Sequence, residues 1–176
     1  MAVMSYSAAV ITCSDRAAAS VYEDRSGPVL REALAELGFE VADGVVVPDH
    51  PEQIRRAIQD AVREGARVIF TTGGTGISPT DLTVEITREL MAYEVPGLME
   101  EVRRVGSQKE PRALLSRGLA AILALPGQQR AIIVNAPGSR GGARDSVEVV
   151  GPLLHHIVEQ LDGSDHPTDA PGAGAE

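Results

Sequence analysis

The sequence is poor in cysteine and in aromatic residues. Cys13 is the only cysteine among 176 residues, which excludes an intramolecular disulfide and a cysteine-based zinc cluster. Tryptophan is absent and aromatic residues make up 3% of the chain, so the core must be built from aliphatic side chains. A core of this kind is typical of buried parallel strands.

Long apolar segments and an excess of positive charge are also missing. No apolar run approaches the ~20 residues that a membrane-spanning helix needs, and the amino terminus lacks the layout of a signal peptide. We therefore expect a cytoplasmic protein with no membrane partner. The net charge of −9 argues against broad electrostatic binding to nucleic acid, but it leaves room for a small anionic ligand.

Apolar strands alternate with helical patterns along most of the chain. Strands are predicted at 8–13, 41–47 and 68–72, helices at 30–37, 51–65, 82–92, 97–106 and 147–161, and a β-pair at 120–125 and 131–135. This alternation predicts an α/β fold with a mostly parallel sheet and helices on both faces. The domain is predicted to span 6–162, and 163–176 reads as a disordered tail rich in Gly, Pro, Ala and Asp.

Polar, small and glycine residues follow the predicted strands. Right-handed crossovers bring the loops after parallel strands to one edge of the sheet, where ligands bind in such folds. These loops are Ser14-Asp15-Arg16, Pro48-Asp49-His50, Thr72 to Asp81, and Asn135 to Gly142. Their convergence is the strongest functional signal in the residues themselves.

The loop Gly73-Gly74-Thr75-Gly76 has the composition of an anion cradle. Glycine permits positive φ and close approach of the backbone, so that successive N–H groups can surround phosphate oxygens. The loop matches neither the P-loop pattern nor the dinucleotide fingerprint. The alternative is a strand-to-helix turn that needs glycine for its own geometry.

Asp49 and Asp81 are the candidate acids of this edge. Mg²⁺ is often held by one or two carboxylates together with substrate phosphate oxygens. Each acid also precedes a predicted helix and could serve as its cap. Cys13 is expected to be a small buried residue, not a nucleophile. The histidines His155 and His156 are expected on a surface or an interface.

Several motifs occur together in a characteristic order and resemble the molybdopterin adenylyltransferase family, which includes the G domains of gephyrin and of its plant counterpart. The motifs are Ser14-Asp15-Arg16, Pro48-Asp49, Thr72-Gly73-Gly74-Thr75-Gly76, Pro79-Thr80-Asp81-Leu82-Thr83, Val95-Pro96-Gly97, Leu115-Ser116-Arg117 and Pro137-Gly138-Ser139. The resemblance covers about residues 6–162, and its most specific part is the run from Thr72 to Thr83.

The resemblance implies a three-layer α/β/α fold, a homotrimer or in some paralogues a hexamer, and Mg²⁺-dependent adenylylation of molybdopterin by ATP. It also implies hand-over of the product to a molybdenum-inserting partner. The implied roles fall on three sets: Asp49 and Asp81 as catalytic and metal-binding acids; Ser14 and Asp15 as nucleotide contacts; and Thr72, Gly73, Gly74, Thr75, Gly76, Ser116, Pro137, Gly138 and Ser139 as molybdopterin contacts.

One segment departs from the family pattern. Family members often place a second proline or a lysine after the last Pro-Gly, whereas this chain continues with Ser139-Arg140-Gly141-Gly142. Arg140 is a candidate to supply the positive charge that a lysine would carry at this place. The alternative function is a non-catalytic molybdopterin-binding paralogue. A nucleotide-hydrolase domain of the competence-damage type would be expected in a longer chain.

Overall fold

A seven-stranded sheet lies at the centre of the computed structural model, which describes residues 5–163. The strands are β1 (Ser7–Cys13), β2 (Glu40–Val41), β3 (Val45–Val47), β4 (Val68–Thr72), β5 (Met91–Glu94), β6 (Ala120–Leu123) and β7 (Ala131–Ala136). Their order is β2-β1-β4-β7-β6-β5, and β3 also pairs with β1. The pairs from β2 to β7 are parallel, whereas β6 runs antiparallel to both β7 and β5.

Helices cover both faces of the sheet. They are α1 (Asp15–Ala18), α2 (Ser26–Glu36), α3 (Pro51–Arg63), α4 (Thr83–Leu90), α5 (Pro96–Lys109), α6 (Arg140–Val150) and α7 (Leu154–Leu161), with 3-10 turns at Pro111–Leu115 and Gly151–Leu153. Side chains alternate along each strand, so Phe70 packs on the face of α2, α5, α6 and α7, and Ile69 packs on the face of α3 and α4. The three-layer α/β/α prediction is confirmed.

The antiparallel end of the sheet was only partly predicted. The β-pair is confirmed, since Ala121 of β6 lies opposite Ile133 of β7. The helix predicted at 82–92 instead ends at Leu90, and the chain enters β5, where Glu94 lies opposite Ala121. The apolar spacing through Met91 and Ala92 suits a helix, but pairing with β6 overrides that local preference.

Other boundaries also differ from the prediction. Strand 41–47 is divided into β2 and β3, and α6 begins at Arg140, seven residues before the predicted start at Val147. Ser139 caps α6 by accepting a hydrogen bond from Gly142 N at 3.1 Å. Pro152 falls in the 3-10 turn between α6 and α7, because proline cannot continue the first helix.

The predicted tail lies outside the described residues except for Gly163. Among residues 5–163, no helix combines the length and apolar character that crossing a lipid bilayer requires.

The carboxyl ends of four parallel strands meet at one edge, as the sequence predicted. Ser14 N donates to Val47 O at 2.9 Å, which joins the loops after β1 and β3. Gly73 N donates to Ala136 O at 3.1 Å, which joins the loops after β4 and β7. The sheet therefore brings all four candidate loops into contact.

Candidate anion-binding site at the sheet edge

The glycine loop after β4 presents unused backbone donors. Gly73 and Gly74 have φ values of 94° and 65°, which turn the chain sharply as it leaves the strand. Gly73 N is satisfied by Ala136 O, but the amides of Gly74, Thr75 and Gly76 donate to no residue in the described part of the chain. Three successive free N–H groups form a concavity suited to an anion.

Close packing explains why this loop consists of glycine. A Cβ on Gly73 would overlap the carbonyl oxygen of Cys13, and a Cβ on Gly74 would overlap the hydroxyl of Thr83. A Cβ on Gly76 would lie 2.7 Å from Oδ2 of Asp81. The alternative of a turn that needs glycine for its own geometry is therefore true as well, and the same geometry leaves the amides free.

Arg117 holds the glycine loop in place. Its Nε donates to Gly76 O at 2.7 Å, its Nη2 donates to Asp81 O at 2.9 Å, and its guanidinium forms an ion pair with Glu85. The hydrogen bond from Arg117 lowers the pKa of Glu85 below its ordinary value. The sequence analysis found Arg117 in a motif but assigned it no role, because the order of residues does not show that one side chain contacts Gly76, Asp81 and Glu85.

Asp49 and Asp15 are joined by two reciprocal hydrogen bonds. Asp15 N donates to Oδ2 of Asp49 at 3.1 Å, and Asp49 N donates to Oδ1 of Asp15 at 2.9 Å. The remaining oxygen of Asp49, Oδ1, is buried and accepts no hydrogen bond within residues 5–163. Burial raises the pKa of Asp49, and the charges of Asp15 and Asp81 add to the effect. Asp15 thus fixes the orientation of Asp49.

Asp81 closes the turn that follows the glycine loop. Its Oδ2 accepts from Ser78 N at 2.9 Å. Neither acid serves the capping role that the sequence left open, since α3 and α4 begin after His50 and Leu82 without a side-chain cap. That alternative is wrong for both residues, and both carboxylates serve the loops instead.

Two clefts flank the glycine loop, and each contains one of the two acids. The first has a volume of about 460 Å³, and it is lined by Thr12, Cys13, Ser14, Ala17, Tyr22, Asp24, Arg25, Ser26, Asp49, Thr72, Gly73, Gly74, Gly138, Ser139 and Arg140. The second has a volume of about 890 Å³ and contains Asp81, Ser116 and Pro137 together with Thr75 and Gly76. Gly73, Gly74, Gly138 and Ser139 line both clefts and form the wall between them.

The predicted site residues fall into these two clefts with one exception. Asp15 lines neither cleft and instead supports Asp49. Ser116 Oγ donates to Thr75 Oγ1 at 3.3 Å, and Thr72 Oγ1 donates to Pro137 O at 2.8 Å, so both hydroxyls brace the wall. The sequence missed Tyr22, Asp24 and Arg25, because they follow α1 in a stretch with no glycine or paired acids to mark it.

The side chains of Cys13 and His155 contribute to packing. Cys13 is buried as predicted, and burial raises the pKa of its thiol to about 12, which keeps the sulfur protonated at neutral pH. The His155 ring stacks on Phe39 with their centroids 4.4 Å apart, and its Nε2 lies 2.8 Å from Leu37 O. His155 is half-buried and His156 is exposed, in line with the predicted surface position, and an interface role stays a prediction.

The fold and the site define an α/β protein with a candidate anion-binding site at the carboxyl edge of its sheet. The match to known families narrows that class. Residues 9–156 match the family model described as "Probable molybdopterin binding domain". The chain belongs to this family, which confirms the resemblance stated from the motifs.

Relatives and solved structures agree with this assignment. The chain is 37% identical over 161 residues to a molybdenum cofactor biosynthesis bifunctional protein of Synechococcus elongatus, covering 92% of this chain and 49% of that protein. It is 36% identical to the molybdopterin adenylyltransferase of Pyrococcus furiosus, covering 85% and 88% of the two chains. The molybdopterin biosynthesis enzyme MoaB of Thermus thermophilus superposes with a TM-score of 0.80 at 43% identity, covering 90% of this chain and 97% of that chain.

The lengths differ between these relatives. The chain spans about half the length of the bifunctional relatives it matches, but most of the length of the adenylyltransferase. The names of these relatives refer to molybdenum cofactor biosynthesis, and the relatives named molybdopterin adenylyltransferase are nucleotidyltransferases.

Proposed function

We propose that this protein adenylylates molybdopterin with ATP, giving adenylyl-molybdopterin and pyrophosphate. The observation that carries the proposal is the glycine loop with three free amides between two clefts, each of which contains one acid. A reaction between two phosphates needs two anions brought to one place; Gly74, whose amide is free, lines both clefts, and the free amides of Thr75 and Gly76 line the larger one. The relatives named molybdopterin adenylyltransferase support the choice of substrates.

The residue roles that the family resemblance implies, and the cleft in which each residue lies, support an assignment of the substrates. We place molybdopterin in the larger cleft, beside Asp81, Ser116 and Pro137, and the nucleotide in the smaller cleft beside Asp49 and Ser14. Positioning the two phosphates across the wall converts a bimolecular encounter into a step within one complex. The amides of Gly74, Thr75 and Gly76 donate to the phosphate oxygens and offset their repulsion.

The transfer forms one P–O bond and breaks another. A phosphate oxygen of molybdopterin attacks the α-phosphorus of ATP, and the bond from that phosphorus to the bridging oxygen of the β-phosphate breaks. Pyrophosphate leaves with the bonding electron pair. The attacking phosphate is already ionised at neutral pH, so neither aspartate needs to accept a proton. The aspartates therefore orient the reactants and hold metal.

The donor set near Asp49 fits Mg²⁺. The described residues contain no group of three or more His, Cys, Asp or Glu side chains able to hold a metal. Oδ1 of Asp49 is a buried acceptor without a hydrogen-bond partner among residues 5–163. One or two carboxylates with substrate phosphate oxygens are the usual ligands of this ion. Bound Mg²⁺ supplies charge neutralisation at the phosphate oxygens.

The proposal extends to the setting of the protein. It includes a cytoplasmic location, a homo-oligomer of the trimeric or hexameric type, and hand-over of the product to a molybdenum-inserting partner. The competing function is a paralogue that binds molybdopterin without transferring AMP. The acids at both clefts favour the enzyme, because binding alone does not require half-buried carboxylates that repel phosphate.

Pyrophosphate release from molybdopterin, ATP and Mg²⁺ tests the proposal. We expect the wild-type chain to release pyrophosphate, and we expect Asp49→Asn and Asp81→Asn to reduce the rate by at least about a hundredfold, as for loss of a transition-state electrostatic contact. Asp60→Asn is the matched control, because Asp60 pairs with Arg63 on the surface of α3. Wild-type rates in either cleft variant would rule out the mechanism, and binding without release would favour the paralogue.

A further inference from the structure

Two arginines line the smaller cleft together with Asp49. Arg25 directly precedes α2, and Arg140 is the first residue of α6, so they come from segments far apart in the chain. Both side chains are exposed to solvent at the cleft. Asp24 and Asp49 line the same cleft, so the two arginines bring its formal charge to zero on a chain with a net charge of −9.

Neither arginine has a carboxylate partner among residues 5–163. No described ion pair includes Arg25 or Arg140. In the larger cleft Lys109 and Arg112 are paired with Asp145 and Glu110, and only Arg144 is in no described ion pair. The positive charges of the smaller cleft are therefore available to a ligand.

The one acid beside Arg25 is occupied by other donors. Oδ1 of Asp24 accepts from Ser26 N at 3.2 Å and from Gly27 N at 2.9 Å. Its Oδ2 accepts from Thr12 Oγ1 at 2.7 Å. Asp24 thus holds the start of α2 against β1, and it leaves the guanidinium of Arg25 unpaired.

Tyr22 limits the positions of the Arg25 side chain. The Arg25 guanidinium carbon lies 5.7 Å from the centre of the Tyr22 ring, within the range of a cation–π contact. Such a contact orients the guanidinium without using its N–H donors. Arg140 follows the Ser139 cap, so the fixed start of α6 sets where its side chain begins.

We infer that Arg25 and Arg140 form a diphosphate subsite, which binds the β- and γ-phosphates of the nucleoside triphosphate and then the pyrophosphate that leaves. This inference rests on the proposed function for the choice of nucleotide. A guanidinium carries five N–H donors in a planar fork that matches phosphate oxygens. Negative charge grows on the pyrophosphate as its bond to the α-phosphorus breaks, and two unpaired cations stabilise that charge.

Binding of inorganic pyrophosphate and of AMP to the full chain, measured by calorimetry with Mg²⁺, tests the subsite. We expect Arg25→Ala and Arg140→Ala each to weaken pyrophosphate binding about tenfold or more, as for loss of charge-assisted hydrogen bonds. AMP lacks the outer phosphates, so its affinity should stay within about twofold in the same variants. Arg140→Lys should recover part of the pyrophosphate affinity, because it restores the charge without the fork.

The control is Arg56→Ala, since Arg56 is an exposed arginine of α3 that lines neither cleft. The inference is overturned if the wild-type chain does not bind pyrophosphate, if Arg56→Ala weakens binding as much as the cleft variants, or if AMP affinity falls in parallel. Arginine-dependent pyrophosphate binding in a chain that releases none from molybdopterin and ATP would keep the subsite and reject adenylylation. Thermal unfolding of each variant identifies any loss of fold.

Discussion

Gly73 combines a left-handed backbone with a close approach to β1, and the two constraints can be separated. Gly38 has a similar φ of 88°, compared with 94° at Gly73, but a Cβ on Gly38 would meet nothing within 4 Å. Gly38→Ala should therefore lower the free energy of unfolding by about 1–2 kcal/mol, the cost of the left-handed conformation alone. Gly73→Ala should lower it further, because the new Cβ would overlap the Cys13 carbonyl.

Urea unfolding of both variants measures the difference. Equal losses would show that the loop relaxes away from β1 and that close approach is not required. A larger loss for Gly73→Ala, accompanied by loss of nucleotide and pterin binding, would tie the anion cradle to the contact between the two loops.

At the residue scale, the sequence identified the acids and the glycine loop but not how they are held. Asp49 and Asp81 could be picked out because both lie in loops that follow strands, at the same sheet edge as the glycine loop. The reciprocal hydrogen bonds of Asp15 with Asp49 join residues 34 positions apart, and no local pattern encodes that pairing. Arg25 was missed for a similar reason, since its importance comes from a lack of partners that only coordinates reveal.

At the scale of the secondary-structure elements, Arg117 connects the glycine loop to α4. Arg117→Ala should lower the free energy of unfolding by about 2 kcal/mol, because it leaves two carbonyls and Glu85 without their charged donor. Arg104→Ala is the matched control, because Arg104 only pairs with Glu101 on the exposed surface of α5. Surface pairs of that kind contribute about 0–1 kcal/mol.

Chemical denaturation and a pyrophosphate assay on the same variants check this prediction. Arg117→Ala should also slow pyrophosphate release, since the loop loses its support. Equal stability of the two variants would mean that the loop is held by its own glycines and that the arginine is dispensable.

The order of the elements was more predictable than their ends. Parallel strands with helices on both faces follow from apolar runs alternating with helical spacing, and this pattern is encoded locally. The start of α6 at Arg140 was not predicted, since Gly141 and Gly142 weaken any helical pattern there. The edge strand β5 was also missed, because its partner β6 lies about thirty residues further along the chain.

At the scale of the whole molecule, Arg67 links the end of α7 to the sheet. The Arg67 side chain is 6% exposed, and its guanidinium pairs with Asp162 at 2.6 Å. Its Nε also donates to Arg130 O at 2.8 Å. Shortening the chain after Leu161 removes Asp162 and should lower the free energy of unfolding by about 1–2 kcal/mol. This loss is smaller than that expected for a fully buried ion pair, because Asp162 is partly exposed.

Shortening the chain after Gly163 is the control. If 163–176 is a disordered tail, as the composition predicts, removal of 164–176 should leave stability and pyrophosphate release unchanged. Thermal unfolding of both shortened chains and of full-length Asp162→Asn checks the assignment. A loss of stability on removing 164–176 alone would place the domain boundary later than residue 162.

The wall between the clefts is built from main chain, and this has an evolutionary consequence. A point mutation changes a side chain but cannot delete a peptide N–H, except by introducing proline. Descendants of one ancestral gene can therefore exchange the residues around the wall and acquire new ligands while the backbone donors persist. A single lineage can in this way give rise both to catalysts and to proteins that only carry the same pterin.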